Sequence, residues 1–237
     1  MRIKCLSLLV LLSCAWLTAQ ATELVTEDDP PHNMLKDKKI VGVSTEKLEE
    51  AFKRSGATMH IQLLPWARAY QQASTDSDTC VYSTARTAER ESLFQWVGPI
   101  ASMDWVLYAR ADNPVKINQL EDVRDEVIGG YFQDVISLWL ISHGYHVDVV
   151  SSDDLNPAKL QIKRFNYWAS SRPRATALLE KQGLTKSIDP VLTFGHTDLF
   201  LACNLSIQSD LVKKLNDALL QMKNDGTSAK IDAKYVP

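Results

Sequence analysis

"YSTARTAERESLFQWVGPI" (82–100) is where a run of strand-forming residues gives way to charge, helix formers and a Trp-Val-Gly-Pro stop. The stretch leaves a short apolar strand, "TCVYS" (79–83), and is expected to enter a short helix carrying Arg86 and Arg90. Two readings compete. On a solvated helix the arginines pair with neighbouring glutamates, each pair contributing only about 0.2–0.5 kcal/mol. At a strand-to-helix turn, backbone N–H groups attract an anion, and an arginine beside them forks onto a carboxylate. The local pattern leaves both open.

Working outward, apolar runs and helical periods alternate along the chain, which favours α/β layering. "ELVTE" (23–27), "MHIQLL" (59–64), "DWVLYAR" (104–110), "YHVDVV" (145–150), "FNYWAS" (165–170) and "DLFLAC" (198–203) read as strands. "DEVIGGYF" (125–132) reads as a strand and a glycine pair leading into a helix through Leu140. "STEKLEEAFKRSG" (44–56) reads as a helix, with Leu48, Ala51 and Phe52 on one face and Gly56 as its cap. Helices are also expected from Pro65 in "PWARAYQQA", in "NPAKLQIKRF", and in "PRATALLEKQG" (173–183). The last helix begins with Ser209 as cap, aligns Leu211, Val212, Leu215, Ala218, Leu219 and Met222, and stops at Gly226.

The N-terminus sets the compartment. Arg2 and Lys4 precede an apolar run (6–17), and Ala19-Gln20-Ala21 supplies a small-residue cleavage pattern, so residues 1–21 read as a secretory signal peptide. The run falls short of the ~20 residues that a spanning helix needs. Cys14 in "LLSC" fits a lipoprotein site only loosely. Removing residues 1–21 from the 237-residue chain leaves 216. Their two positive charges leave too, taking the formal net charge from −3 to −5. That acidity argues against nucleic acid as a partner. Of the four cysteines only Cys80 and Cys203 remain; from spacing alone a disulfide and two buried thiols are equally open.

Catalytic signatures are absent: no GxSxG, no HExxH, no P-loop. His143 and His146 have a spacing that two metal ligands could use, but no third ligand is near in sequence, so neither a metal nor a cofactor is expected. Most tryptophans read as core. Trp66, directly after Pro65 at a strand-to-helix turn, is the exception, because ligands of open α/β sheets bind beyond the carboxyl ends of strands.

"TEDDPPHNM" (26–34), "LPWARAYQQA" (64–73), "YSTARTAERESLFQWVGPI" (82–100) and "LNDALLQMKNDGTSAKIDAKY" (215–235), in that order, resemble the family 3 solute-binding proteins of bacterial ABC transporters, periplasmic receptors for polar amino acids. The resemblance runs from about residue 24 to 235. It implies an α/β, two-lobed type II periplasmic-binding fold with two crossing hinge segments. Lobe 1 would comprise 22–105 plus 198–237, lobe 2 would comprise 112–190, and the hinges would be 106–111 and 191–197. In that fold the return strand lies beside the third strand of lobe 1, which implies a disulfide between Cys80 and Cys203.

The family's T-x-E-R motif supplies the arginine that grips the ligand's α-carboxylate. Here it reads Thr87-Ala88-Glu89-Arg90, so the role falls to Arg90, with Ser83 or Thr84 adding hydrogen bonds. Arg86 is left as a second candidate. Glu27 and Asp28, ending the first strand, and Trp66 and Arg68, at the second strand-to-helix turn, fall where the family lines its cleft. On lobe 2, Gly130, Tyr131 and Asp134 match the closing loop. The usual acid for the α-ammonium corresponds by its G-R-x-D pattern to Asn166. A neutral amide cannot neutralise an ammonium, so Glu27, Asp28 or Asp134 takes that part, or the ligand is not a simple α-amino acid.

The resulting expectation is an exported, monomeric receptor without chemistry of its own. It closes on a small carboxylate-bearing molecule and presents it to an ABC permease in the inner membrane. A dehydratase-like enzyme of the same fold, drawing on Glu27, Asp134 or His196, is the alternative from another class. A free-standing ligand-sensing partner of a membrane sensor is the third.

Overall fold

The computed structural model describes residues 21–113 and 116–235. Apart from its last residue, the expected signal segment lies outside the described residues. The chain opens with β1 (Thr22–Thr26), a small hairpin of β2 (Met34–Lys36) and β3 (Lys39–Val41), α1 (Val43–Ser55), β4 (Met59–Leu63), α2 (Trp66–Thr75) and β5 (Thr79–Ala85). A long strand, β6 (Gln95–Arg110), leads into β7 (Val127–Tyr131), α3 (Val135–Ser142), β8 (His146–Val150), α4 (Asn156–Gln161), β9 (Tyr167–Ser171) and α5 (Arg172–Gln182). A second long strand, β10 (Ile188–Cys203), returns the chain to α6 (Ser209–Asn224) and α7 (Thr227–Asp232).

Eight strands form one sheet in the order β4-β1-β5-β10-β6-β9-β7-β8. β1 runs parallel to β4 and β5, and β7 runs parallel to β8 and β9. Between these two parallel groups, β6 and β10 run antiparallel to each other and through both halves. Helices cover both faces of each group, the arrangement that parallel strands require because neither face can be left to water. In the first half, Leu48 and Phe52 of α1 and Leu215, Ala218 and Met222 of α6 pack with Leu24, Tyr82 and Leu201 of the sheet. In the second, Ile136 and Leu140 of α3 meet Leu107 and Ile128, while Leu160 and Leu179 close the opposite face over Trp168.

Local signals act as their chemistry predicts. Gly56 and Gly183 cap α1 and α5 in the left-handed conformation, with φ of 74° and 69°. Pro65 opens α2. The β5–β10 register sets Cys80 opposite Cys203, and the disulfide forms between them.

Three expectations need correction. Residues 86–93 do not form a helix: after β5 the chain turns, and only a single 3-10 turn (Glu91–Leu93) precedes β6. Phe94, buried against Trp66 and Val25, ends that turn by drawing the chain into the sheet. The strands at 104–110 and 198–203 are the ends of two sixteen-residue strands. Ser209 is the first helical residue of α6, with Gln208 in the cap position.

Candidate functional site

The carboxyl ends of both parallel groups face each other across one cleft. From the first half come Glu27 and Asp29 after β1, Trp66 at the start of α2, Ser83 and Ala85 at the end of β5, and Arg90 after it. From the second come Asp134 at the start of α3 and Arg174 in the first turn of α5. Glycines in β7 set the second half's side of the cleft. A methyl group on Gly129 would stand 2.2 Å from the Phe165 ring, and one on Gly130 would stand 2.4 Å from Ser137 Oγ. That close approach lets Ser137 Oγ accept from the Tyr131 N–H at 2.8 Å and holds the loop to Asp134. Asp134 caps α3 by accepting from the Ile136 N–H at 2.9 Å, and Ser171 caps α5 by accepting from the Arg174 N–H.

Arg174 is the centre of the cluster. Its Nη2 donates to Glu27 Oε1 at 2.6 Å, its Nε donates to Asp29 Oδ1 at 2.9 Å, and Nη1 lies 4.0 Å from Asp134 Oδ1. Tyr131 stacks under the guanidinium, 5.3 Å from ring centroid to Cζ, and its hydroxyl donates to Glu27 Oε2 at 3.1 Å. Trp66 Nε1 adds a second tie across the cleft by donating to the Gln133 carbonyl at 2.9 Å.

One arginine shared among several buried carboxylates sorts their proton affinities. Burial pushes Glu27 up to about 7; Arg174 opposes this, but Asp29 and Asp134 reinforce it. Burial also disfavours the Asp29 anion, yet Arg174 and His32 outweigh it and hold the group well below the usual carboxylate range. His32 Nδ1 lies 3.1 Å from Asp29 Oδ2. Asp134 is raised, chiefly by burial. So is Asp153 behind it, although Trp168, Ser170 and Asn156 all donate to its carboxylate. Burial would lower Arg174, but the surrounding carboxylates raise it well above its ordinary value.

Arg90 is different. It is only 7% exposed, and among the described residues it makes no ion pair. Nη1 donates to the Ala85 carbonyl at 3.2 Å, and the guanidinium lies over the adjoining rings of Tyr70 and Trp66, 4.9 and 5.7 Å from their centroids. Burial lowers its proton affinity, only partly offset by Tyr70, Asp134 and Glu89. A buried cation with carbonyl and ring partners retains donors for an anion.

Of the residues expected at the site, Arg90, Ser83, Glu27, Trp66, Tyr131 and Asp134 converge at this cleft. Ser83 Oγ donates to Asn33 Oδ1. Three expectations are displaced. Thr84 is fully buried and donates to the Val81 carbonyl. Arg68 is exposed on α2, the turn having brought Trp66 rather than Arg68 to the cleft. Asn166 is exposed, donating to Glu126 just before β9, whereas the cleft lies beyond Ser171 at that strand's other end. Arg86 forms a bidentate pair with Glu91 on the surface. His196 is exposed beside Asp104, apart from Glu27 and Asp134.

Arg174 was not singled out by the sequence. Its one signal is indirect: Glu27, Asp28 and Asp29 form a run of acids where a chain must bury one end of a strand.

Comparison with known proteins agrees with this architecture. A model of the bacterial extracellular solute-binding proteins, family 3, matches residues 23–237. The chain is 23% identical over 205 residues to the L-cystine-binding protein TcyJ of Escherichia coli (strain K12), covering 84% of this chain and 75% of that protein. A histidine kinase sensor domain with similarity to periplasmic binding proteins superposes with a TM-score of 0.84 at 16% identity, over 92% of this chain and 96% of its own. An ancestral arginine-binding protein bound to arginine superposes with a TM-score of 0.78 at 20% identity, over 92% and 98%. The fold is therefore the two-lobed type II periplasmic-binding fold, and the chain belongs to the bacterial extracellular solute-binding proteins, family 3.

Proposed function

We propose that this protein is an exported periplasmic receptor that closes on a small carboxylate-bearing ligand, an amino acid or a relative, and delivers it to an ABC permease of the inner membrane. The observation that carries the reading is Arg90, a buried guanidinium at the cleft with no carboxylate partner among the described residues. The ligand's carboxylate supplies that partner, in the fork geometry that arginine favours. Asp134 borders the same gap and takes the ammonium, the part that exposed Asn166 cannot play. Glu27 and Asp29 are already engaged by Arg174.

Closure is a hinge motion of lobe 1 (22–105 plus 198–237) against lobe 2 (112–190) through 106–111 and 191–197. Interruptions in the β6–β10 ladder between Pro190 and Leu192 and between Thr193 and Gly195 support that position. No helix among the described residues is long and apolar enough to cross a membrane.

The test is isothermal titration calorimetry over a panel of amino acids and dicarboxylates. Arg90→Ala is expected to abolish binding while circular dichroism and melting stay close to wild type, and Arg90→Lys to weaken it. Unchanged affinity in Arg90→Ala would overturn the site.

A further inference from the structure

Two spaces adjoin Arg90. The one toward Glu27, Asp29 and Asp134 holds only about 20 Å³, because Arg174 and its partners fill it. That is room for a water molecule and not for the body of an amino acid. The other space lies on the far side of Arg90, between the turn at 87–90 and α3, and measures about 550 Å³. That is within the roughly 300–1,000 Å³ of small-molecule sites.

Its lining is mostly apolar, with Thr87, Glu89, Ser142 and His143 adding polar groups beside Arg90. Trp105, Val135, Leu138 and Trp139 line it. Trp105 meets Trp139 edge to face at 5.8 Å and Phe194 at 6.1 Å. Trp139 is stacked on His143 at 3.9 Å. Gly195 lets the Trp105 ring lie flat on the backbone: a methyl group there would come within 2.7 Å of the ring. Leu138, 46% exposed, faces water although it borders this aromatic floor. Trp105 Nε1 is buried with no acceptor among the described residues, an unused donor on a residue of the same wall.

We infer that this space is the ligand's side-chain pocket, and that the receptor selects amino acids with bulky apolar or aromatic side chains. The inference rests on the receptor reading above. With its carboxylate on Arg90 and its ammonium toward Asp134, a ligand has this volume beside Arg90 for the rest of its atoms, and it is lined chiefly by indole rings and aliphatic carbons. Aromatic side chains gain there from edge-to-face packing as well as from area removed from water. Small side chains would leave the apolar walls wet, and acidic ones would face Glu89.

The experiment is calorimetric titration of the mature protein with L-tryptophan, L-phenylalanine, L-alanine and L-serine, in wild type, Leu138→Glu and Arg90→Ala. Leu138→Glu changes an exposed helix position and so preserves the fold. Wild type is expected to bind tryptophan or phenylalanine at least about tenfold more tightly than alanine or serine. Leu138→Glu should erase that preference, and Arg90→Ala should remove binding of all four. Equal binding of large and small side chains, or a preference that survives Leu138→Glu, overturns the pocket while an Arg90-dependent affinity keeps the receptor reading. Binding of none of the four, alongside an Arg90-dependent affinity for a dicarboxylate, also overturns the pocket alone. Failure of every compound to bind overturns both.

Discussion

Arg174 shows how one side chain can hold two lobes in register. It spans from α5 to the end of β1 and neutralises Glu27 and Asp29 where water is largely excluded. Removing one partner of such a cluster is costly, because the charge left behind stays buried. Arg174→Met is therefore expected to destabilise the protein by about 3–5 kcal/mol in urea unfolding, more at pH 8 than at pH 5, where Glu27 can take up a proton. A loss below about 1 kcal/mol, the range of exposed pairs, would show that the cluster is not the electrostatic centre of the cleft.

Glu27 carries its own pH signature. Its folded value is raised from 4.5 to about 7, so between these values the native state holds a proton that the unfolded chain has released. Stability contributed through this group falls as pH rises from about 4.5 to 7, the sign expected when the native state binds more protons. Asp29, shifted down, acts in the opposite sense and in a separate window, below its ordinary value. The difference in unfolding free energy between wild type and Glu27→Gln should decline over pH 4.5–7; a flat or rising difference would contradict the assignment.

At the scale of elements, most of the fold was legible because helices and turns are specified by neighbours in sequence. Gly56, Pro65 and Gly183 stand where helix ends need them, and the apolar stripe of α6 lies on the core as its spacing predicts. The long strands were not legible. β6 contains Gly98 and Pro99, which read locally as a stop. They are tolerated because β10 pairs alongside and shifts register near them, between Leu199 and Leu201. The short helix expected after "TCVYS" failed for a related reason: sheet pairing and the burial of Phe94 outweigh the propensity of a few charged residues. Asn166 shows the limit of matching a motif by spacing, because it stands at the end of β9 away from the cleft, which lies beyond Ser171.

At the scale of the whole molecule, the Cys80–Cys203 disulfide joins residues 123 apart and encloses every element from β6 to α5. Closing a loop of that size restricts the unfolded chain strongly. Replacing both cysteines by serine is expected to lower stability by about 2–5 kcal/mol, read as a lower urea midpoint. Binding should persist, since both cysteines sit in the lobe 1 core rather than at the cleft. Unchanged stability on replacement, or on reduction, would show that the reduced unfolded state is already as restricted.

By itself the sequence determined the α/β layering, the helix caps and stripes, and, through its motif order, the family and the arginine at the cleft. These depend on residues near one another in the chain or on patterns retained as blocks. Only the tertiary structure decided that Arg86 pairs with Glu91 on the surface while Arg90 is buried with no counter-ion among the described residues. It alone brought Arg174 to Glu27 and Asp29, and it left the roomier space on the aromatic side of Arg90. Those outcomes depend on which side chains lose their water when two lobes meet, and burial of that kind is set by distant segments of the chain.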